Sequence, residues 1–394
     1  MAEITRFETV NGFARDAVSL QNWRIRPYNF WAFRHVSEMV RSARIKTGSP
    51  RPLPAEAANP DMMQRPAFSG SGETIAGLLT RGQTDSFLMS RDKEILCEWH
   101  APGVNRDDPH LVFSISKSIT ALIAGILEHK GLLDVETAVG DLVPETRGSA
   151  YEDASVRHLL DMRVSLNFDE SYLSEDAYAR YRRAMAWNPP NGDGSEEAGL
   201  LSFLCTLAKA DGPHGGDHAY LSPNSDMLGI VVERAGGARF SDLCSHHLWQ
   251  PLAASADAEI TVDHLGAPRT AGGMSLRPHN LLALGEMLLA GGRTNGLQII
   301  SPDWLEDMRS NGDPDAWARG SQRNFLKHGR YRSNWYQIGG RSNAFLAAGI
   351  HGQFLYCDPD TGTAIVCTSS QHEPQDDALD QDYLAMFAAI SATA

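Results

Sequence analysis

With 394 residues, 42% of them hydrophobic, the chain can bury one large core or two lobes around a cleft. Its 35 basic and 49 acidic side chains leave a formal net charge of −14, which argues against nucleic acid and anionic membrane as partners. No run approaches the roughly 18 apolar residues of a membrane span, and the N-terminus lacks the charged-then-apolar pattern of a secretory signal.

Residues 1–75 read as an arm wrapping a preformed body. Trp23, Tyr28, Phe30, Trp31 and Phe33 are its anchors, and Pro-rich extended chain follows them. Two strands are expected over 87–90 and 95–100, joined by Arg91-Asp-Lys-Glu94, and then a long helix over 116–130. From 141 to 254 the texture is helical: a capped helix begins at Ser155, and others are expected over 196–209 and 227–235. The polar, Arg- and Tyr-rich residues 173–198 read as a surface excursion. Helices are expected over 280–290, 302–310 and 378–390, and strands over 344–348, 354–357 and 364–369, the last two joined by a turn at Asp358-Pro-Asp-Thr-Gly362. Strands at both ends with helices between them predict an α+β chain. In it a sheet lobe (76–140 with 255–394) faces a mainly helical lobe (141–254), with the active site between. Five scattered cysteines without a Cys-x-x-Cys pair read as reduced thiols, so a cytoplasmic location is expected.

The chemistry centres on Ser114-Ile-Ser-Lys117. Residues three apart share a helix face, so the Lys117 amine can stand beside the Ser114 hydroxyl and take its proton. Ser-x-x-Lys also occurs at Ser90-Arg-Asp-Lys93, but there it falls in a hairpin turn, with no burial to shift a pKa. The plain alternative for Ser114 is a helix N-cap beside a solvated lysine. Tyr220-Leu-Ser-Pro-Asn224 supplies a phenol able to act as general acid or base if a nearby cation lowers its pKa, and an amide for a substrate carbonyl or a lysine. In Gly349-Ile-His-Gly-Gln353 the glycines let backbone approach a ligand, and N–H groups there could complete an oxyanion hole with that of Ser114. His351 on its own reads as an ordinary strand-end histidine. No Gly-x-Ser-x-Gly elbow or His-Glu-x-x-His is present, and His214-Gly-Gly-Asp-His218 is too flexible a loop for a metal site.

Taken in order, Ser114-Ile-Ser-Lys117, Tyr220-Leu-Ser-Pro-Asn224 and His351-Gly352 resemble the motifs of the β-lactamase-like, penicillin-binding serine hydrolases. Gly131-Leu-Leu-Asp134 and Ala271-Gly-Gly-Met-Ser275 fall in register with them. Within that family, Asn29-Phe-Trp-Ala-Phe33 and Gly349-Ile-His-Gly-Gln353 look most like the branch hydrolysing 6-aminohexanoate dimers, the nylon-oligomer amidases. The resemblance implies an antiparallel sheet flanked by helices. It implies Ser114 as nucleophile, Lys117 as proton acceptor and Tyr220 as relay to the leaving group. Ile350, His351 and Gly352 would form the oxyanion side, and Asn224 and Tyr172 would contact substrate. It implies no cofactor or metal, a small ester or amide substrate, neither nucleic acid nor membrane as partner, and is compatible with a homodimer. The family's usual Lys-Thr-Gly is replaced by Ile350-His351-Gly352, which weakens a β-lactamase or DD-peptidase reading. That reading and a non-catalytic penicillin-binding sensor stay open as alternatives. Arg180, Arg182 and Arg183 stand where the amidase branch uses an aspartate, so an acidic or neutral substrate is expected if they point inward.

Overall fold

Two apolar stretches far apart in the sequence pair into one seven-stranded antiparallel sheet in the computed structural model, which describes residues 7–170, 177–192 and 198–393. Its strands are β1 (Thr84–Arg91), β2 (Glu94–His100), β3 (Arg330–Arg332), β4 (Trp335–Gly339), β5 (Ser342–Gly349), β6 (Gln353–Asp358) and β7 (Thr363–Ser369), in the order β2-β1-β7-β6-β5-β4-β3. Pairing of β1 with β7, Met89 opposite Ile365, joins the two halves of the chain. The β1–β2 hairpin turns on Asp92 and Lys93, both at positive φ, as a two-residue hairpin loop requires.

Both faces of this sheet are covered, so its central strands are apolar on both sides rather than alternating with polar residues. Leu355, Cys357, Ala364 and Val366 face the main core, which also holds α3 (Pro278–Leu289), while Phe354, Tyr356, Ile365 and Cys367 face a second core with α4 (Asp377–Thr393). Against α4 the rings of Phe354 and Tyr383 lie 5.6 Å apart. The helix α1 (Ile115–His129) is buried from Ile115 to Leu127 and packs beside α2 (Ser222–Gly236). A second, four-stranded sheet joins Ser42–Ile45 of the arm to Ala258–Thr261, Met274–Leu276 and His110–Leu111, the last leading directly into Ser114.

The helices and strands expected in the C-terminal third are present with slightly wider bounds, whereas β3 and β4 were not legible. The arm's anchors lie inside the main core: Trp23, Trp31 and Phe33 are buried, and the Asn29 amide donates to the carbonyls of Ser370 and Gln371 at 2.9 and 3.2 Å. Residues 177–192 are not a surface excursion. A helix spans Ala177–Ala184, and Tyr178, Tyr181 and Trp187 are buried because they share one apolar side that packs on Phe168 and Phe203 and beneath the arm. Ser90, expected in a solvated turn, is buried on β1, while Lys93 is exposed. Its partner lysine points to solvent all the same, so the pair remains without the contact that base catalysis needs.

Candidate active site

The mouth of the cleft is built where α1 begins. Phe113, one residue before the nucleophile candidate, has φ of +44°, a left-handed conformation that a bulky residue adopts only when its surroundings impose it. Three rings impose it here: Phe33, Trp187 and His351 lie 4.8, 6.1 and 5.2 Å from the Phe113 ring. The sharp turn leaves Ser114 at the N-terminus of α1 with its side chain 9% exposed overall, shielded but reachable. One turn on, Lys117 Nζ lies 2.8 Å from Ser114 Oγ and donates to the Ala271 carbonyl at 2.6 Å. Tyr220, in the loop before α2, lines the same cleft together with Ser114 and Tyr336, and its ring centroid is 5.1 Å from Lys117 Nζ. The hydroxyl, the amine and the phenol expected from the sequence therefore meet.

The electrostatics assign different capacities to these groups. Burial pulls the Lys117 ammonium down to about 7, with Arg269 pushing the same way and Glu170 and Asp226 opposing. A neutral amine with a lone pair facing Oγ can accept a proton near neutral pH. Tyr220 departs from expectation. Burial raises its phenol pKa, outweighing the hydrogen bonds from Ser114 and Tyr336 that act to lower it. The Arg269 cation acts to lower it but is the smallest of these causes, and the Glu170 carboxylate opposes it. The phenol therefore stays protonated and suits proton delivery rather than standing base.

Three charged residues that sequence reasoning did not single out hold this centre. Asp226 on α2 accepts from the Ala271 N–H at 2.7 Å and from the Tyr181 hydroxyl at 2.5 Å, and it pairs with the buried Arg269. It thereby fixes the strand-like turn whose next carbonyl, that of Ala271, receives Lys117. Glu170 accepts from the Ser222 hydroxyl at 2.5 Å and from the Ser222 N–H, tying the loop that carries Tyr220 to the far wall. Desolvation raises the Glu170 carboxyl pKa and Lys117 opposes that shift, so the two share one proton economy. No sequence spacing announces such pairs, since their members come from four separate segments.

The opposite wall is the turn between β5 and β6. Gly349 ends β5 directly against the nucleophile's backbone: a Cβ there would lie 3.0 Å from the Ser114 nitrogen and 2.7 Å from the Val112 carbonyl oxygen. Ile350 follows and lines the cleft with Ser114 and Tyr220. Neither the Ser114 nor the Ile350 N–H donates to another group among the described residues, so both remain available to an oxyanion. His351 (φ +63°) and Gly352 (φ +81°) make the turn. Buried Gln353 clamps it by donating to the carbonyls of His351 and Ser369 at 2.9 and 2.7 Å. The His351 ring is not part of the cleft over Ser114. It is 3% exposed, bonded through Nδ1 to the Gln371 carbonyl at 2.8 Å and packed on Phe33 and Phe113, and burial lowers its pKa to about 4.

Asn224 does not face the cleft either. It is fully buried on the first turn of α2, where its oxygen accepts from the Tyr151 hydroxyl at 3.3 Å and its amide points at Met162 Sδ. The helix starts at Ser222, earlier than expected, and rotates position 224 inward. Tyr172 lies outside the described residues. In the His214-to-His218 loop, His214 is engaged with Asp153 at 3.0 Å, and no group of three His, Cys, Asp or Glu able to hold a metal ion occurs among the described residues. No described helix is long and apolar enough to cross a membrane. The opening over Ser114 is narrow, with a volume of about 50 Å³.

The Beta-lactamase family model matches residues 86–389. A 6-aminohexanoate-dimer hydrolase of Paenarthrobacter ureafaciens is 33% identical over 364 residues, covering 92% of this chain and 91% of its own. Among solved structures, a Bacillus anthracis protein described as a candidate 6-aminohexanoate-dimer hydrolase superposes with a TM-score of 0.87 at 22% identity, over 96% of this chain and 97% of its own. A family VIII carboxylesterase superposes with a TM-score of 0.58 at 16% identity, over 84% of this chain and 98% of its own. The two structural likenesses carry the fold alone.

Proposed function

The chain belongs to the Beta-lactamase family, and from that premise we propose that it is a serine hydrolase cleaving small esters or linear amides through an acyl-enzyme on Ser114. The observation that carries this reading is the 2.8 Å approach of a buried, pKa-depressed Lys117 amine to the Ser114 hydroxyl. In the first half-reaction the Ser114 proton passes to Lys117 as Oγ bonds to the substrate carbonyl carbon, and the N–H groups of Ser114 and Ile350 hold the oxyanion. Collapse expels the alcohol or amine, which takes a proton from Tyr220, and Lys117 returns one to the phenolate. Water then attacks the ester carbonyl, giving the acid and restoring the Ser114 hydroxyl.

The narrow opening over Ser114 supports a small or linear reacting end. The names of a 6-aminohexanoate-dimer hydrolase and a carboxylesterase among the similar proteins support amides and esters. The turn Ile350-His351-Gly352 offers no lysine for a β-lactam carboxylate, which disfavours the β-lactamase or peptidase reading. A panel of p-nitrophenyl butyrate, 6-aminohexanoate dimer and nitrocefin tests the assignment. The ester is expected to exceed nitrocefin in kcat/KM by about a hundredfold or more. Nitrocefin turnover equal to or above the ester points to a β-lactamase instead, and acylation without product release points to a sensor.

A further inference from the structure

Beyond Ile350 the narrow opening gives way to a much larger space. A cavity of about 780 Å³ shares Ile350 and Pro374 with the cleft over Ser114, so the two adjoin at the oxyanion turn. A substrate whose carbonyl sits at Ser114 and whose chain runs past Ile350 meets this space. Three arginines stand in its walls, in a chain of net charge −14. Arg24 comes from the N-terminal arm, and Arg182 and Arg183 from the helix Ala177–Ala184. The one carboxylate among the described lining residues is Glu373, a mostly exposed side chain beside His372.

Resting on the hydrolase reading above, we propose that this cavity binds a carboxylate at the far end of the substrate, with Arg24 as the specificity-determining contact. Arg24 is built for such a role. Its guanidinium is set beside Trp23, with Cζ 5.5 Å from the ring centroid, and is steadied through one nitrogen by the neutral Asn188 carboxamide at 3.0 Å. No carboxylate pairs with it among the described residues, so the rest of its planar fork is available for bidentate contact. Burial and then the nearby Arg182 lower its pKa to about 10, the sign of a cation held among cations at a cost that an anion relieves. Arg182 stacks over Tyr178 at 5.1 Å. Trp23 and Trp187, with rings 5.3 Å apart, link Arg24 to the floor beneath Phe113, so the binding end and the nucleophile share one rigid support.

The class of substrate that follows is a monoester or monoamide carrying a second, free carboxylate. Two matched pairs of esters place that carboxylate on either side of the scissile bond: mono-p-nitrophenyl glutarate against p-nitrophenyl butyrate, and 4-(butyryloxy)benzoate against phenyl butyrate. Arg24→Gln is expected to lower the anionic-to-neutral ratio of kcat/KM by about 10- to 100-fold in at least one pair, through KM, with Arg24→Lys keeping part of the preference. Unchanged ratios in both pairs overturn the proposal. Calorimetric titration with monomethyl glutarate reads the cavity without turnover. Wild-type binding that Arg24→Gln weakens supports the proposal even if no ester is hydrolysed, in which case the catalytic reading fails separately. No binding to the wild type, together with no anionic preference, overturns the proposal.

Discussion

Ser114→Ala is expected to lower the turnover of p-nitrophenyl butyrate by about four orders of magnitude or more while leaving the melting temperature within a few degrees of wild type. The rate effect follows because, among the described residues, no other hydroxyl lining the cleft has an amine at bonding distance. Ser222, the next candidate, is committed to Glu170 at 2.5 Å, and Ser116 accepts from the Met274 N–H at 3.0 Å. The small effect on folding follows because the Ser114 hydroxyl caps nothing. It makes no side-chain cap to α1, and Lys117 keeps the Ala271 carbonyl when Oγ is removed. A structural serine would show the reverse pattern, with stability lost and turnover retained.

Lys117→Met is the second large effect, and it separates catalysis from stability. Turnover is expected to fall about a thousandfold or more, since the hydroxyl loses its only neighbouring base. Stability is expected to rise at pH 8. The folded-state pKa of Lys117, about 7, lies below the ordinary value of 10.5, so between these limits the unfolded chain binds a proton that the folded chain does not. Wild-type stability therefore climbs with pH across that window, and the methionine variant lacks this slope. The same titration governs the rate, with kcat/KM of the wild type rising through pH 7 as Lys117 becomes neutral and levelling above it. The two buried histidines nearest the site do not confuse this limb, because burial lowers His351 to about 4 and His218 to about 3. Denaturant titrations and a pH–rate profile of the two proteins check both halves.

What the sequence disclosed follows from how far apart the cooperating residues are. Ser114 and Lys117 were legible because one helical turn joins them, and the Gly349-to-Gln353 turn because two glycines and the sharp change of chain direction mark it. The seven-stranded sheet was half legible. Its central strands are long apolar runs, whereas Arg330–Arg332 is three residues with two arginines and Trp335–Gly339 is five residues interrupted by Gln337 and ended by a glycine. Asn224 was misplaced because a proline at the second position of α2 hid the helix start, and a start five residues earlier than expected puts position 224 on the helix, facing the core. The arginines of 180–183 masked the buried aromatic side formed by Tyr178, Tyr181 and Trp187. The Glu170–Ser222 and Asp226–Arg269 contacts could not be seen at all, since a carboxylate in a sequence says nothing of its distant partner until the chain is folded.

The identity of the nucleophile is tested most directly by peptide mapping after reaction with a fluorophosphonate probe. One adduct per chain on the tryptic peptide that contains Ser114, absent in Ser114→Ala and slowed in Lys117→Met, is the expected result. An adduct on Ser90 or Ser222, or ester turnover that continues with Ser114 unmodified, would contradict it.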